Sequence, residues 1–202
     1  MQLDDDIILD KKTLLNLYKS KMTLGAKSIV GPVFLDLDGK SIHNSETNTR
    51  FFSNIYKYLI CDAKYGEKKI GTITSLGIAY GVNIKINKKI VRTQWLPGGC
   101  ILFSRDILKK NFDIFKFKGK SYGEDVFFSL QREFFFFKHF VVTNSRVYTE
   151  KSNEKFNFKD FISEIKIRKF LLKYTKGNQI RFYLWVFFEF LNQNIFKKIF
   201  SR

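Results

Sequence analysis

Residues 28–36 read SIVGPVFLD, and this run decides the fold class of the chain. It is apolar and rich in β-branched side chains, and it is followed by Asp38 and Gly39, a pair typical of hairpin turns. We therefore predict a β-strand here that turns back towards residues 40–42.

A helix is predicted immediately before this strand. Residues 11–22 follow Asp10, which is placed to cap the free amides of a first helical turn. Four apolar side chains recur there at helical spacing: Leu14, Leu17, Tyr18 and Met22.

Strands and helices continue to alternate after residue 90. The pattern predicts strands at 91–96, 100–103 and 140–148, and helices at 105–110 (capped by Ser104), 126–135, 157–174 and 180–200. Weaker patterns favour a short helix at 51–60 and strands within 70–86. Strands that alternate with helices indicate an α/β sandwich rather than an all-helical fold.

Composition limits the classes of protein that the chain can belong to. The 202 residues are 45% hydrophobic, so the chain can bury a core and is neither disordered nor fibrous. Cys61 and Cys100 are too few for a disulfide framework, and no signal peptide or membrane span is predicted, so a cytoplasmic location is expected. The net charge of +17 favours polyanionic partners such as nucleic acid, nucleotide phosphates or an anionic membrane. A coding bias towards Lys, Phe, Ile and Asn would also produce it.

An acidic triplet opens this basic chain: Asp4, Asp5 and Asp6 follow a short apolar lead. Carboxylates at positions i and i+2 of a tight turn can hold a hard divalent cation, which neutralises a diphosphate. A solvated acidic loop or a helix cap is the structural alternative.

Two further groups of residues could carry chemistry. Glu124 and Asp125 precede a predicted helix, where a carboxylate beside apolar walls is suited to act as a general base. Trp95 is followed by a loop containing Gly98 and Gly99, which could offer backbone amides and an aromatic platform to a sugar ring. The alternatives are a plain charged helix start and a tight turn with a core tryptophan.

The order and spacing of these groups resemble the second half of a family 2 inverting glycosyltransferase of the GT-A fold. An acidic triplet is followed about 90 residues later by Trp-Leu-Pro-Gly-Gly and about 25 residues further on by Gly-Glu-Asp. Residues 28–40 resemble the family's strand and hairpin after the metal motif, and residues 103–105 resemble its helix after the glycine loop. The resemblance covers nearly the whole chain.

By this resemblance, Asp4, Asp5 and Asp6 form the DxD motif. Asp4 and Asp5 would contact the sugar nucleotide, and Asp4 and Asp6 would hold the Mg2+ or Mn2+ on its diphosphate. Asp125 would deprotonate the acceptor hydroxyl with help from Glu124. Trp95, Gly98 and Gly99 would bind substrate, and the two glycines would line the pocket for the acceptor and the donor sugar.

The resemblance also implies how the chain is divided. Residues 1–152 would be a GT-A catalytic domain without its N-terminal nucleotide-binding half, and residues 153–202 a region of C-terminal amphipathic helices. Met1 is then expected to be an internal methionine of a longer reading frame, and the chain alone to bind sugar nucleotides poorly. Many members carry a metal-binding His near the end of the last core strand, where this chain has none and Glu150 is the candidate substitute. His43 and His139 are expected to be surface or packing residues.

The last helix suggests a location for the activity. Residues 182–188 are all apolar and are flanked by Arg181, Lys197, Lys198 and Arg202, a pattern suited to the interface of an anionic membrane. Packing against the catalytic domain or a second subunit is the alternative. We therefore expect a cytoplasmic protein that contacts the inner face of the cell membrane and acts on a cell-surface polysaccharide or a lipid-linked glycan. An inactive membrane-associated remnant and a basic nucleic-acid-binding protein are the competing functions, and the dispersed lysines argue against nucleic acid.

Overall fold

The computed structural model describes residues 1–42, 58–60, 70–82, 87–109, 123–150 and 157–191. The strands are β1 (Gln2–Leu3), β2 (Ile7–Leu9), β3 (Ser28–Leu35), β4 (Ile90–Thr93), β5 (Cys100–Ile101) and β6 (Lys138–Thr149). The helices are α1 (Thr13–Leu24), α2 (Glu124–Phe134), α3 (Phe158–Thr175) and α4 (Gln179–Leu191), with a 3-10 helix at Arg105–Lys109. The predicted α/β class is confirmed.

The sheet is mixed, and β6 is the strand that pairs on both of its edges. β3 pairs with β6 in parallel, and the other edge of β6 pairs antiparallel with β4 and, further along, with β2. On its opposite side β3 bonds to the end of β5 through a two-way bridge between Val30 and Leu102, and β5 pairs antiparallel with β1. This order brings the turn after β1 and the loop before β5 to the same place.

Both faces of the sheet are covered, which explains why β3 is buried at every residue. One face packs against α1 through Leu17, and its core residues are Val30, Phe34, Cys100, Val142 and Val147. The other face carries Ile29, Val33, Leu35, Val82, Leu96, Ile101, Ile107, Phe137 and Val141. The register shifts between Pro32 and Val33, an irregularity at which a proline is tolerated inside a sheet.

A third layer joins the C-terminal helices to the rest of the molecule. α2 and α3 share a cluster that contains Trp95, Phe127 and Leu171. Leu76 packs with α3 and with Phe182 and Trp185 of α4. The boundary between α3 and α4 at residues 176–178 is the predicted one.

Two sequence predictions about α1 were wrong. The N-cap of α1 is Lys12 without a side-chain bond, so Asp10 does not cap the helix. The buried residues of α1 are Thr13, Leu17 and Lys21, whereas three of the four predicted apolar side chains are exposed: Leu14, Tyr18 and Met22. The Ser104 hydroxyl, which precedes the 3-10 helix, donates to the Ala26 carbonyl oxygen at 2.9 Å.

The weaker predictions lie partly outside the described residues. Of the helix predicted at 51–60, only residues 58–60 are described, and 83–86 of the predicted strands are not. Residues 70–82 form an irregular segment with one isolated bridge, Ile73 with Ala79, and no strand.

Candidate active site

Two glycines in the loop between β4 and β5 lie against two carboxylates that are far apart in the sequence. A Cβ atom at position 98 would lie 2.5 Å from Asp125 Oδ1, and a Cβ atom at position 99 would lie 3.1 Å from Asp4 Oδ2. The first distance is shorter than any side chain could accept without movement. The loop therefore needs glycine here because its main chain packs directly on the carboxylates.

Asp4 is held at this loop by the backbone. Leu3 pairs with Cys100 in the β1–β5 ladder, and the next amide, that of Asp4, donates to the Gly99 carbonyl oxygen at 2.9 Å. The Asp4 side chain remains exposed to solvent. The backbone of Asp4 is thus held in place by hydrogen bonds, while its carboxylate is accessible to a ligand.

Asp125 lies on the other side of the loop, in the first turn of α2. The helix begins after Gly123, whose φ of 87° lies in the left-handed region that glycine tolerates best. Glu124 shares this first turn, so both acids stand at the positive end of the helix dipole.

Burial raises the pKa of Asp125 to about 6. The Gly98 amide opposes this shift by donating to the carboxylate, whereas the negative charges of Glu124 and Asp4 add to it and the positive charge of Arg132 opposes it. A carboxylate with a pKa near 6 is ionised at neutral pH and is more basic than an ordinary aspartate. Both properties are those of a general base.

Asp5, Asp6 and Glu150 complete the acidic side of the site. All three are exposed. Because Ile7 pairs with Thr149, Asp6 and Glu150 flank the same end of the β2–β6 ladder. Within the described residues, no group of three or more His, Cys, Asp or Glu side chains is close enough to hold a metal ion.

The donor set still fits the predicted use of Mg2+ or Mn2+. Hard divalent cations bind through one or two carboxylates together with substrate phosphates and water, rather than in a complete protein cage. Asp4 and Asp6 offer carboxylate oxygens of this kind, and both are open to solvent.

Trp95 is mostly buried, and its indole N–H donates to the Tyr80 carbonyl oxygen at 2.9 Å. It also lines a cavity of about 270 Å³ that has Asp125 in its wall. Trp95 is therefore a core tryptophan that also lines the space beside Asp125. Gly98 and Gly99 do not line that cavity and instead contact the two carboxylates.

Other polar groups near the loop were missed from the sequence. The buried Ser129 hydroxyl accepts a hydrogen bond from the Leu96 amide at 3.2 Å, which ties the loop to α2. Arg132, one turn further along α2, places its guanidinium over the rings of Phe103 and Phe128. The helical spacing of 125, 129 and 132 was the only signal for them. Glu164 and Arg168, which line the cavity from α3, had only an ordinary i, i+4 charge pair as a signal.

Of the two histidines that were expected to be surface or packing residues, the structure describes one. His139 is buried, and burial together with the charge of Arg132 lowers its pKa to about 3, so it is a neutral packing residue. His43 lies outside the described residues. Cys100 is a buried free thiol whose pKa burial, aided by the charge of Asp4, raises to about 11.

No protein-family model, no curated protein and no solved structure matches this chain.

Proposed function

We propose that the chain is a metal-dependent, inverting glycosyltransferase similar to family 2, built on the C-terminal part of a GT-A fold. It transfers a sugar from a nucleoside diphosphate to a hydroxyl acceptor. The observation that supports this most is the meeting of Asp4 and Asp125 at two neighbouring glycines, Gly98 and Gly99. Motifs that resemble that family by their order in the sequence are thus neighbours in space.

In this proposal Asp125 is the general base. Its carboxylate takes the proton from the acceptor hydroxyl, the oxygen attacks the anomeric carbon of the donor, and the bond to the diphosphate breaks, which inverts the configuration. The Gly98 amide orients the carboxylate by donating to it, and Glu124 assists through its negative charge, which makes Asp125 more basic.

Asp4, Asp5 and Asp6 form the donor side. Asp4 and Asp5 contact the sugar nucleotide, and Asp4 and Asp6 hold Mg2+ or Mn2+, with Glu150 as an additional candidate ligand. The cation supplies positive charge to the departing diphosphate when it is bound. Because Asp4 is fixed to Gly99 and Asp125 touches Gly98, one loop sets the spacing between donor and base.

The test is a screen of sugar nucleotides with Mn2+, using protein expressed from its whole reading frame and measuring release of the nucleoside diphosphate. We expect release with one donor class, a requirement for divalent metal, and its loss in Asp125→Asn. Release that is unchanged in Asp125→Asn would remove the base assignment, and no release with any donor would favour the inactive remnant.

A second proposal concerns α4, which we infer contacts an anionic membrane surface. Only Phe182 and Trp185 of α4 are buried in the molecule. Its exposed large apolar side chains are Ile180, Tyr183, Leu184, Phe187, Phe188 and Phe190. Within the described residues no helix is long and apolar enough to cross a membrane, so the contact would be peripheral.

Positive charge borders this apolar surface. Lys166, Lys169 and Lys173 of α3 are exposed at helical spacing, and Lys169 Nζ lies 5.9 Å from the centre of the Tyr183 ring. Lysines beside exposed aromatic side chains match the interface of a membrane with anionic headgroups, where each lysine contributes about 1 kcal/mol. Such a location would bring a lipid-linked acceptor to the site.

Sedimentation with vesicles separates this proposal from its competitors. We expect binding to vesicles that contain phosphatidylserine, weaker binding to neutral vesicles, and loss of binding in Phe187→Ser. Retention on DNA at moderate salt without vesicle binding would support the nucleic-acid alternative instead.

A further inference from the structure

The cavity beside Asp125 lies between two layers of the molecule. Trp95 and the start of α2 form one side of it, and α3 forms the other, with residues 77–79 along one border. Its volume of about 270 Å³ is close to the lower end of the range for small-molecule sites. It has room for one sugar ring.

Its apolar walls suit the C–H face of such a ring. The walls are formed by four residues of one packed cluster: Trp95, Val126, Ile167 and Leu171. An aromatic or aliphatic wall of this kind excludes water from one face of a ligand, while the polar groups of the site define its orientation.

Three charged side chains line the cavity. They are Asp125 from α2 and the pair Glu164 and Arg168 from α3, so they come from two different elements. Arg168 donates to Glu164 Oε1 from Nε at 2.9 Å and from Nη2 at 2.7 Å. Its guanidinium also lies 4.7 Å from the centre of the Trp185 ring, and Nη1 reaches the Leu76 carbonyl oxygen at 3.5 Å.

These contacts determine which ligand groups the cavity can bind. The Arg168 donors are directed at Glu164 and Leu76, whereas within the described residues Glu164 Oε2 accepts no hydrogen bond. The cavity thus presents two carboxylates, Asp125 and Glu164, and one guanidinium, that of Arg168, which is paired with Glu164, so negative formal charges outnumber positive ones. Carboxylates accept hydrogen bonds from hydroxyl groups and repel anionic groups.

We infer that this cavity binds the acceptor as a single uncharged glycosyl unit, with Glu164 reading a hydroxyl group and excluding acceptors that carry a carboxylate or phosphate. The inference rests on the proposed function, because it assigns the acceptor of that same reaction. The hydroxyl that reacts lies towards Asp125, and Glu164 determines specificity without taking part in the proton transfer.

Binding can be tested without any donor. The chain has two tryptophans, so Trp185→Phe leaves Trp95 as the only one while retaining an aromatic ring under Arg168. In this variant of the 202-residue chain, the fluorescence of Trp95 is followed during titration with neutral methyl glucoside and methyl galactoside and with methyl glucuronide. We expect a saturable change with at least one neutral glycoside and binding at least about tenfold weaker for the glucuronide.

Glu164→Gln tests the assigned residue. We expect it to narrow the preference for the neutral glycoside to less than about threefold, since the variant no longer repels the glucuronide. Glu133→Gln is the matched control, because Glu133 is an exposed glutamate of α2 outside the cavity and its replacement changes the net charge equally. It should leave the preference unaltered. Thermal unfolding of both variants, expected to match the parent, verifies that they fold.

The outcomes distinguish this inference from the proposed function. If neutral glycosides bind saturably but no sugar is transferred to them, the cavity binds sugars but does not hold the acceptor of a transfer reaction. Transfer to neutral acceptors with a preference that Glu164→Gln and Glu133→Gln alter equally would overturn the inference and leave the transferase. Equal affinity for the glucuronide, or no saturable change with any neutral glycoside, also overturns it.

Discussion

The two acidic turns that meet at the glycine loop differ in what surrounds them. The turn of Asp4 is exposed and its carboxylate is open to solvent, whereas Asp125 is half-buried and its pKa is raised to about 6. The same loop contacts both, through Gly99 and Gly98 respectively. The two aspartates therefore differ in role because of their environments and not because of their residue type. The exposed carboxylate is suited to binding a cation and a diphosphate, and the half-buried one is suited to accepting a proton.

The largest expected effect is on turnover and comes from replacing Asp125. Asp125→Asn should lower turnover by about 10² to 10⁴-fold, the range that general bases contribute, because the amide cannot accept the proton. Steady-state kinetics with the donor found by the screen measures it. Asp106→Asn, in the first turn of the 3-10 helix, is the control, and an equal loss there would show that removing any acid has this effect.

The same substitution should change stability in a pH-dependent way. Between pH 4 and 6 the folded chain holds a proton on Asp125 that the unfolded chain has released, so the stability of the parent falls as the pH rises through this window. Asp125→Asn has no such loss. It should be more stable than the parent by at most about 3 kcal/mol at pH 8 and should match it below pH 4.

Urea unfolding at pH 3.5, 5 and 8 measures this difference. A stability gain for Asp125→Asn that is independent of pH would mean that packing, and not the burial of a charge, distinguishes the two turns.

The glycines allow each turn to be perturbed separately. A Cβ atom at position 98 would displace the Asp125 carboxylate, so Gly98→Ala should lower turnover by about ten- to a hundredfold. Gly99→Ala brings a Cβ atom to 3.1 Å from Asp4 Oδ2, a milder contact, and should mainly raise the Mn2+ concentration needed. Kinetics over a Mn2+ series separates them, and identical profiles for the two variants would refute the division between the turns.

A smaller effect is expected from the exposed turn. Asp4→Asn should raise the half-saturating Mn2+ concentration by about tenfold, because the chain loses one carboxylate ligand while Asp6, water and substrate phosphates remain. Turnover at saturating Mn2+ should recover most of the parent value. Asp10→Asn, an exposed acid on the far side of β2, serves as the control, and a loss of turnover that no Mn2+ concentration restores would place Asp4 in the chemical step.

The buried side of the site was also the harder one to predict. The strand at 28–35 was evident because it is apolar throughout, and the order of the motifs brought Asp4, Gly98, Gly99 and Asp125 into one hypothesis before any contact was known. The raised pKa of Asp125 could not be predicted from the sequence, because it depends on atoms from three separate elements.

Local signals failed where distant partners decided the outcome. Thr13 faces inward because its hydroxyl donates to the Arg146 carbonyl oxygen at 2.7 Å, a partner 133 residues away. Lys21 turns inward to donate to the Gly25 and Ala26 carbonyl oxygens at the end of its own helix. Helical spacing alone favoured the more apolar Leu14, Tyr18 and Met22. In the same way, nothing near Glu164 in the sequence indicates that it lines the same cavity as Asp125.

The smallest effect is expected from Arg132, whose positive charge opposes the rise in the pKa of Asp125. In Arg132→Met a flexible apolar side chain replaces the guanidinium between Phe103 and Phe128, where a thioether packs well. Without the charge, the carboxylate should protonate more readily, so the acidic limb of kcat/KM should move up from about 6 by less than about one pH unit. The rates of parent and variant should converge at pH 8, where Asp125 is ionised in both. A general loss of packing would instead lower the rate equally at every pH.

The control is Arg105→Met, on the exposed 3-10 helix, which removes the same charge from a different place. If the acidic limb of kcat/KM shifts equally in this variant, the net charge of the protein, and not the charge next to Asp125, controls the pKa of the base.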